Sequence, residues 1–182
     1  MATVSSCDII VDKFRQTSGL CGPAALKILL SHFGKTFTED QLATLAGVTK
    51  NESGYIVGVG TEHENMIEAI KETGGFVYTK EEGTLAELEY FIKEERLPVI
   101  IGWFDATDPP EDHYSVVVNT TDKNIIIVDP MEEKAERWLD RQAFPKIWFD
   151  FVGKDNKIVS WGWYMVVTFE KKKFKVQGGH YY

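Results

Sequence analysis

The sequence predicts an α+β fold, with helices packed on a mostly antiparallel C-terminal sheet. Two observations carry this. Between Cys21 and Arg96, apolar residues recur at helical spacing behind capping signals and ahead of glycine stops. From Pro98 onward they gather into strand-length runs separated by turn residues. Helices first and strands second mark α+β rather than alternating α/β. The 182 residues, 43% apolar and 13% aromatic, suit a single domain spanning 1–182 with a sizeable core.

Residues 1–15 are mixed, and Asp8-Ile9-Ile10-Val11 reads as an edge strand. A turn, Thr17-Ser18-Gly19, leads into a helix from Cys21 to about Phe33. Pro23 suits its first turn, Ala24, Ala25, Leu26, Ile28, Leu29 and Leu30 form its body, and Gly34 stops it. Thr38-Glu39-Asp40-Gln41 is a capping box for a helix through Leu42 and Leu45 to Gly47. Residues 48–60 read as a loop. Gly58 and Gly60 there follow no strand and open no G-x-G-x-x-G, which argues against a phosphate cradle. Thr61-Glu62-His63-Glu64 reads as a second capping box, with a helix through Met66 and Ile70 to Gly74-Gly75. Phe76-Val77-Tyr78 is a short strand. Thr84-Leu85-Ala86-Glu87 is a third capping box, opening a helix through Leu88, Phe91 and Ile92.

Strands follow at 98–104, 113–119, 124–128 and 161–169. Residues 105–112 and 120–123 connect them as a loop and a turn. Residues 132–151 read as an irregular or helical excursion with aromatic anchors, the aromatics of 138–151 and 161–169 read as core, and 153–157 reads as a turn. Residues 170–182 read as a frayed tail.

Net charge is −8 and the pI about 5.1, which weighs against nucleic acid as a partner. Two cysteines, Cys7 and Cys21, exclude a disulfide scaffold. The first residues carry no basic segment followed by an apolar run, and no stretch approaches the ~20 apolar residues that span a bilayer. A soluble protein of a reducing, cytoplasmic compartment is expected. No close-spaced C-x-x-C or H-x-x-x-H pair is present, so neither a metal site nor a cofactor is expected. Asp105, Asp108, Glu111 and Asp112 read as a solvated acidic loop; attraction of a cation or basic substrate is the other reading.

The residue with the most chemistry is Cys21. The positive end of a helix favours a thiolate over a thiol, although a buried structural cysteine fits the same position. A thiol nucleophile needs a base, and the base needs an orienting group. His32 lies 11 residues along the same helix, roughly 16 Å away at ~1.5 Å per residue. His63 sits in a helix first turn, where a solvated role is simplest, and His180 is in the tail. His113 starts a strand after a polar loop. If Asn119 pairs with Asn124, His113 falls opposite Pro130, next to Asp129, and a bulge would bring Asp129 directly opposite. Asp-Pro is also ordinary turn chemistry. Gln16, five residues before Cys21, could donate to an oxyanion, but taken alone it reads better as a surface glutamine.

Taken together, Gln16, Cys21-Gly22-Pro23-Ala24-Ala25-Leu26, His113-Tyr114-Ser115-Val116-Val117-Val118 and Asp129-Pro130 resemble the papain-like cysteine peptidases of the bacteriocin-processing, double-glycine-leader type. The match runs from about Gln16 to Pro130 and departs at Leu20, where many members carry an acidic residue. The resemblance implies a papain-like fold, Cys21 as nucleophile, His113 as base and then acid, Asp129 as its orienter and Gln16 as oxyanion donor. It implies a peptide or protein substrate and an acyl-enzyme intermediate. A related thiol acyltransferase or deamidase, and an inactive peptide-binding domain, remain alternatives.

Overall fold

The computed structural model describes residues 9–49, 51, 61–107, 110–132, 136–153 and 157–182. Its first helix, α1 (Cys21–Ser31), is apolar nearly all round. Gly22 to Leu26 and Ile28 to Leu30 are all buried. Such a helix belongs in the middle of a structure, and α1 packs on both strands and helices. Helix α2 (Glu39–Leu45) has the capping box expected at Thr38, with both reciprocal hydrogen bonds made. Helix α3 (His63–Glu72) does not. Its N-cap is Glu62, which makes no side-chain capping bond. The expected box at Thr61 is therefore absent, because Thr61 is buried rather than capping. After β1 (Phe76–Lys80), Thr84 caps α4 (Leu85–Tyr90), which runs into a wider π-turn over 91–95.

The strands β2 (Val99–Asp105), β3 (Glu111–Thr120), β4 (Asn124–Val128) and β5 (Glu136–Asp140) follow in sequence and pair as consecutive neighbours. Strands β6 (Phe149–Val152) and β7 (Ile158–Trp161) form a separate hairpin. Strands β8 (Tyr164–Thr168) and β9 (His180–Tyr181) complete a seven-stranded sheet, ordered β5-β4-β3-β2-β8-β1-β9, among the described residues. Every pairing in that sheet is antiparallel. Helix α1 lies against β3 and β2 and also contacts α2 and α3. Helices on an antiparallel sheet is the predicted class.

Several elements differ from expectation. Residues 9–11 form no strand, although Ile9 is buried. The stretch 132–151 contains β5, a short 3-10 turn at Phe144–Lys146 and part of β6, instead of a mainly irregular segment. Phe144 and Trp148 are core as expected, but Trp138, on the edge strand β5, and Trp161, on β7, are exposed. The expected strand 161–169 is broken at Gly162, whose φ of +64° lets the chain turn from β7 into β8. The chain end is not frayed. Phe174 is buried against Tyr78 and Phe91, and β9 pairs with β1. The loop expected at 48–60 lies mostly outside the described residues, as do Cys7 and Asp108.

Candidate active site

The loop before α1 is held from both sides. The Gln16 backbone N–H donates to the Pro130 carbonyl at 2.8 Å, and the Thr17 N–H to the buried Glu39 carboxylate at 2.9 Å. Leu20, fully buried, anchors the last residue before the helix. Cys21 is thus the first residue of α1, free and partly exposed. Gly22 beside it has a packing reason: a Cβ there would lie 2.7 Å from the Thr61 Cβ. The Ala24 N–H makes the first backbone hydrogen bond of the helix, to the Leu20 carbonyl, and Pro23 before it has no N–H to satisfy.

His113 lies on β3, paired opposite Trp103 of β2. The β3–β4 register differs from the expected one. Thr120 pairs with Ile125, and a bulge at Val118 shifts the ladder before Val116 meets Val128. Asp129 lies just past the end of β4, where Pro130 turns the chain, and reaches His113 from there. The two side chains are 1% and 0% exposed, and Asp129 Oδ1 accepts from His113 Nε2 at 2.5 Å. The Met131 N–H donates to the same oxygen at 2.9 Å. With Nε2–H committed to the carboxylate, Nδ1 is the nitrogen left without a hydrogen-bond partner among the described residues. Cys21 lies beside that ring, close enough to bias its protonation. Burial opposes the imidazolium, but the Asp129 hydrogen bond and Cys21 outweigh it and push the His113 pKa up to about 10. Burial likewise opposes ionised Asp129, yet His113, the Met131 N–H and Arg137 hold its carboxyl below the usual aspartate range.

Arg137 was not legible as a site residue. It reaches in from β5, donating from Nη1 to Asp129 Oδ2 at 2.6 Å and to Asp105 Oδ2 at 2.5 Å. Its guanidinium also lies 4.9 Å from the Trp103 ring, which is edge-on to His113. Glu136-Arg137-Trp138-Leu139-Asp140 has no charged–apolar alternation, so the sequence carried no period-two signal for a strand there. Asp105, expected as solvated, is buried in this pair.

His63 corrects another expectation. It is 6% exposed, not solvated. Its Nε2 meets Asp150 Oδ2 at 2.7 Å, and its ring stacks on Trp163 at 3.8 Å. Asp150 comes from β6, which fits against the sheet because Gly102 has no Cβ; one built there would lie 2.3 Å from Asp150 Oδ2. Gln16, Cys21, His113, Thr61, Asp112 and Asp150 open onto one cleft of about 260 Å³. The four residues singled out in the sequence are therefore brought together at the start of α1 and the ends of β3 and β4. No group of three or more His, Cys, Asp or Glu side chains arranged to hold a metal occurs among the described residues. No described helix is long and apolar enough to cross a membrane.

Residues 13–152 match the model of the peptidase C39 family. A Methanothermobacter thermautotrophicus protein of uncharacterised function is 29% identical over 130 residues, covering 71% of this chain and 77% of its own. The fold is similar to the peptidase domain of Streptococcus ComA, a bifunctional ABC transporter of a quorum-sensing pathway. The TM-score is 0.63 at 19% identity, covering 87% of this chain and 98% of that one. It is also similar to a double glycine motif protease from an AMS/PCAT transporter, solved with a leader peptide. There the TM-score is 0.59 at 19% identity, covering 90% and 95% of the two chains.

Proposed function

The chain belongs to the peptidase C39 family, and from that membership we propose that it is a cysteine peptidase acting on a peptide through Cys21, His113, Asp129 and Gln16. The observation that carries the reading is the buried His113–Asp129 pair beside a free cysteine at a helix start. His113, held protonated on Nε2 by Asp129, takes the Cys21 proton on Nδ1, giving a thiolate–imidazolium pair. The thiolate sulfur attacks the scissile carbonyl carbon. The oxyanion forms near the Cys21 backbone N–H and the Gln16 side-chain amide, which opens onto the same cleft. His113 Nδ1–H then protonates the leaving amine and the C–N bond breaks, leaving a thioester. Water, deprotonated by His113, attacks the thioester; the acid leaves and the pair is restored. Asp129 supports the imidazolium throughout, and Arg137 fixes Asp129 from its far side. A peptide substrate accords with the leader-peptide complex of the related protease.

The test follows alkylation of Cys21 by iodoacetamide against pH, read by peptide mass spectrometry, in the wild type and in His113→Ala. Labelling that is rapid below pH ~7 and lost in His113→Ala supports the pair. Labelling that rises only near pH ~8.5 in both proteins is that of an ordinary thiol and overturns the reading.

A further inference from the structure

Four oxygens in the Cys21 cleft have no hydrogen-bond partner among the described residues: Asp150 Oδ1, Asp112 Oδ1, Thr61 Oγ1 and Gln16 Oε1, the last on the amide assigned to the oxyanion. Asp150 is only 3% exposed and Thr61 8%. The Thr61 hydroxyl is that side chain's one polar atom, so the whole side chain is unpartnered. Asp150 uses its other oxygen on His63, and the Phe151 backbone N–H serves Asp112. Burial and the neighbouring Asp150 push the Asp112 pKa up to about 6. Neither lysine nor arginine lines the cleft among the described residues, and its one imidazole, His113, is held by Asp129. Buried acceptors without donors are costly to maintain, and an arrangement of them in a binding cleft points to donors that arrive with the ligand. A metal ion does not fit, because no suitable donor cluster is present among the described residues. Three of these acceptors, on Asp112, Asp150 and Thr61, two of them carboxylate oxygens, match a protonated nitrogen group carrying several N–H donors.

We propose that the cleft beside Cys21 binds a protonated nitrogen of the substrate peptide (a lysine ammonium, an arginine guanidinium or a free terminal amine) through Asp112, Asp150 and Thr61. This deepens the peptidase reading and rests on it: the cation would sit next to the bond presented to Cys21. Glu62 also lines the cleft, with one carboxylate oxygen accepting from the Gly153 N–H.

The test reads binding, so that it is separate from turnover. Cys21→Ala protein near neutral pH is offered a pool of acetylated, amidated oligoalanine peptides carrying Lys, Arg, norleucine or Glu at one position at a time. The same peptides with a free amino terminus are included, and bound peptides are measured by mass spectrometry. Enrichment of Lys or Arg over norleucine, or of free over acetylated termini, by about ten- to a hundredfold is expected. Side-chain and terminal enrichment separate the sources of the nitrogen. In Cys21→Ala/Asp112→Asn the enrichment falls toward parity, and in Cys21→Ala/Thr61→Val it falls by a smaller factor. Thermal melts verify that both variants are folded. Parity in the parent protein, preference for norleucine or Glu, or enrichment that persists in full in both double variants overturns the proposal. Enrichment without hydrolysis by the wild type would count against the peptidase reading alone.

Discussion

Removing the Arg137 guanidinium takes away the cationic side chain shared by two buried carboxylates, Asp129 and Asp105, and Arg137→Met measures what that costs. Nη1 lies 2.6 Å from Asp129 Oδ2 and 2.5 Å from Asp105 Oδ2, with the two aspartate side chains 0% and 7% exposed. Coulomb's law at an effective dielectric of ~20 gives about 6 kcal/mol of gross attraction per pair. Desolvation offsets much of this, and the loss on deleting one partner of a buried pair is about 3–5 kcal/mol. Arg137 itself is 22% exposed, so solvent screening puts the expected loss near the low end, about 3 kcal/mol. The pH dependence has a definite sign. Asp129 and Asp105 are both held below their ordinary value of 3.8 in the folded protein, where burial is outweighed by hydrogen bonds and charge, Arg137's among them. That stability is present above pH ~3.8 and is lost as pH falls through the folded values. The deficit of Arg137→Met is therefore largest near neutral pH and shrinks below pH ~4. Urea unfolding of wild type and variant at several pH values reads it, and Arg137→Met/Asp105→Leu recovers part of the loss. A deficit under ~1 kcal/mol at neutral pH, the size of a surface ion pair, or one independent of pH, would refute the argument.

Asp112→Asn is expected to stabilise the protein above pH ~6 and not below pH ~4. A carboxylate whose folded pKa is raised to about 6 from 3.8 disfavours the fold progressively as pH rises between those values. The gain is at most about 3 kcal/mol, or about 1–2 after solvent screening, by urea unfolding; an equal effect at both pH extremes would contradict it. Ending the chain after Lys173 removes Phe174 from Tyr78 and Phe91 and uncovers the β1 edge. Loss of a core phenylalanine alone costs about 3–5 kcal/mol, so the thermal melt falls clearly, and an unchanged melt would show the terminal segment is dispensable. Gly102→Ala drives a methyl into Asp150 and disturbs its bond to His63, at about 1–3 kcal/mol. An undiminished urea midpoint would mean that β6 yields freely.

Much of this protein was legible because its signals are local. Thr38 and Thr84 cap α2 and α4 through residues three positions away. Asn124–Val128 forms the strand that its apolar run indicates. Cys21 starts a helix because a turn and a first-turn proline precede an apolar run. The motif order from Gln16 to Pro130 groups Gln16, Cys21, His113 and Asp129. The local reading failed where a distant partner decides. His63 has the sequence context of a solvated first-turn residue, but Asp150, 87 positions later, and Trp163 bury it. The end of the chain is basic and glycine-containing, yet it is ordered because β1 offers an unpaired edge and Tyr78 and Phe91 offer a surface for Phe174.

The sequence by itself determined the fold class, the capped starts of α2 and α4 and the residues able to form a thiol–imidazole–carboxylate set, since capping, periodicity and side-chain chemistry depend on near neighbours. Only the tertiary structure decided that Arg137 holds Asp129 from behind, that Asp112, Asp150 and Thr61 meet beside Cys21, and that His63 is core. Charge pairing and burial act through space between segments far apart in the chain, so no window of the sequence contains both partners.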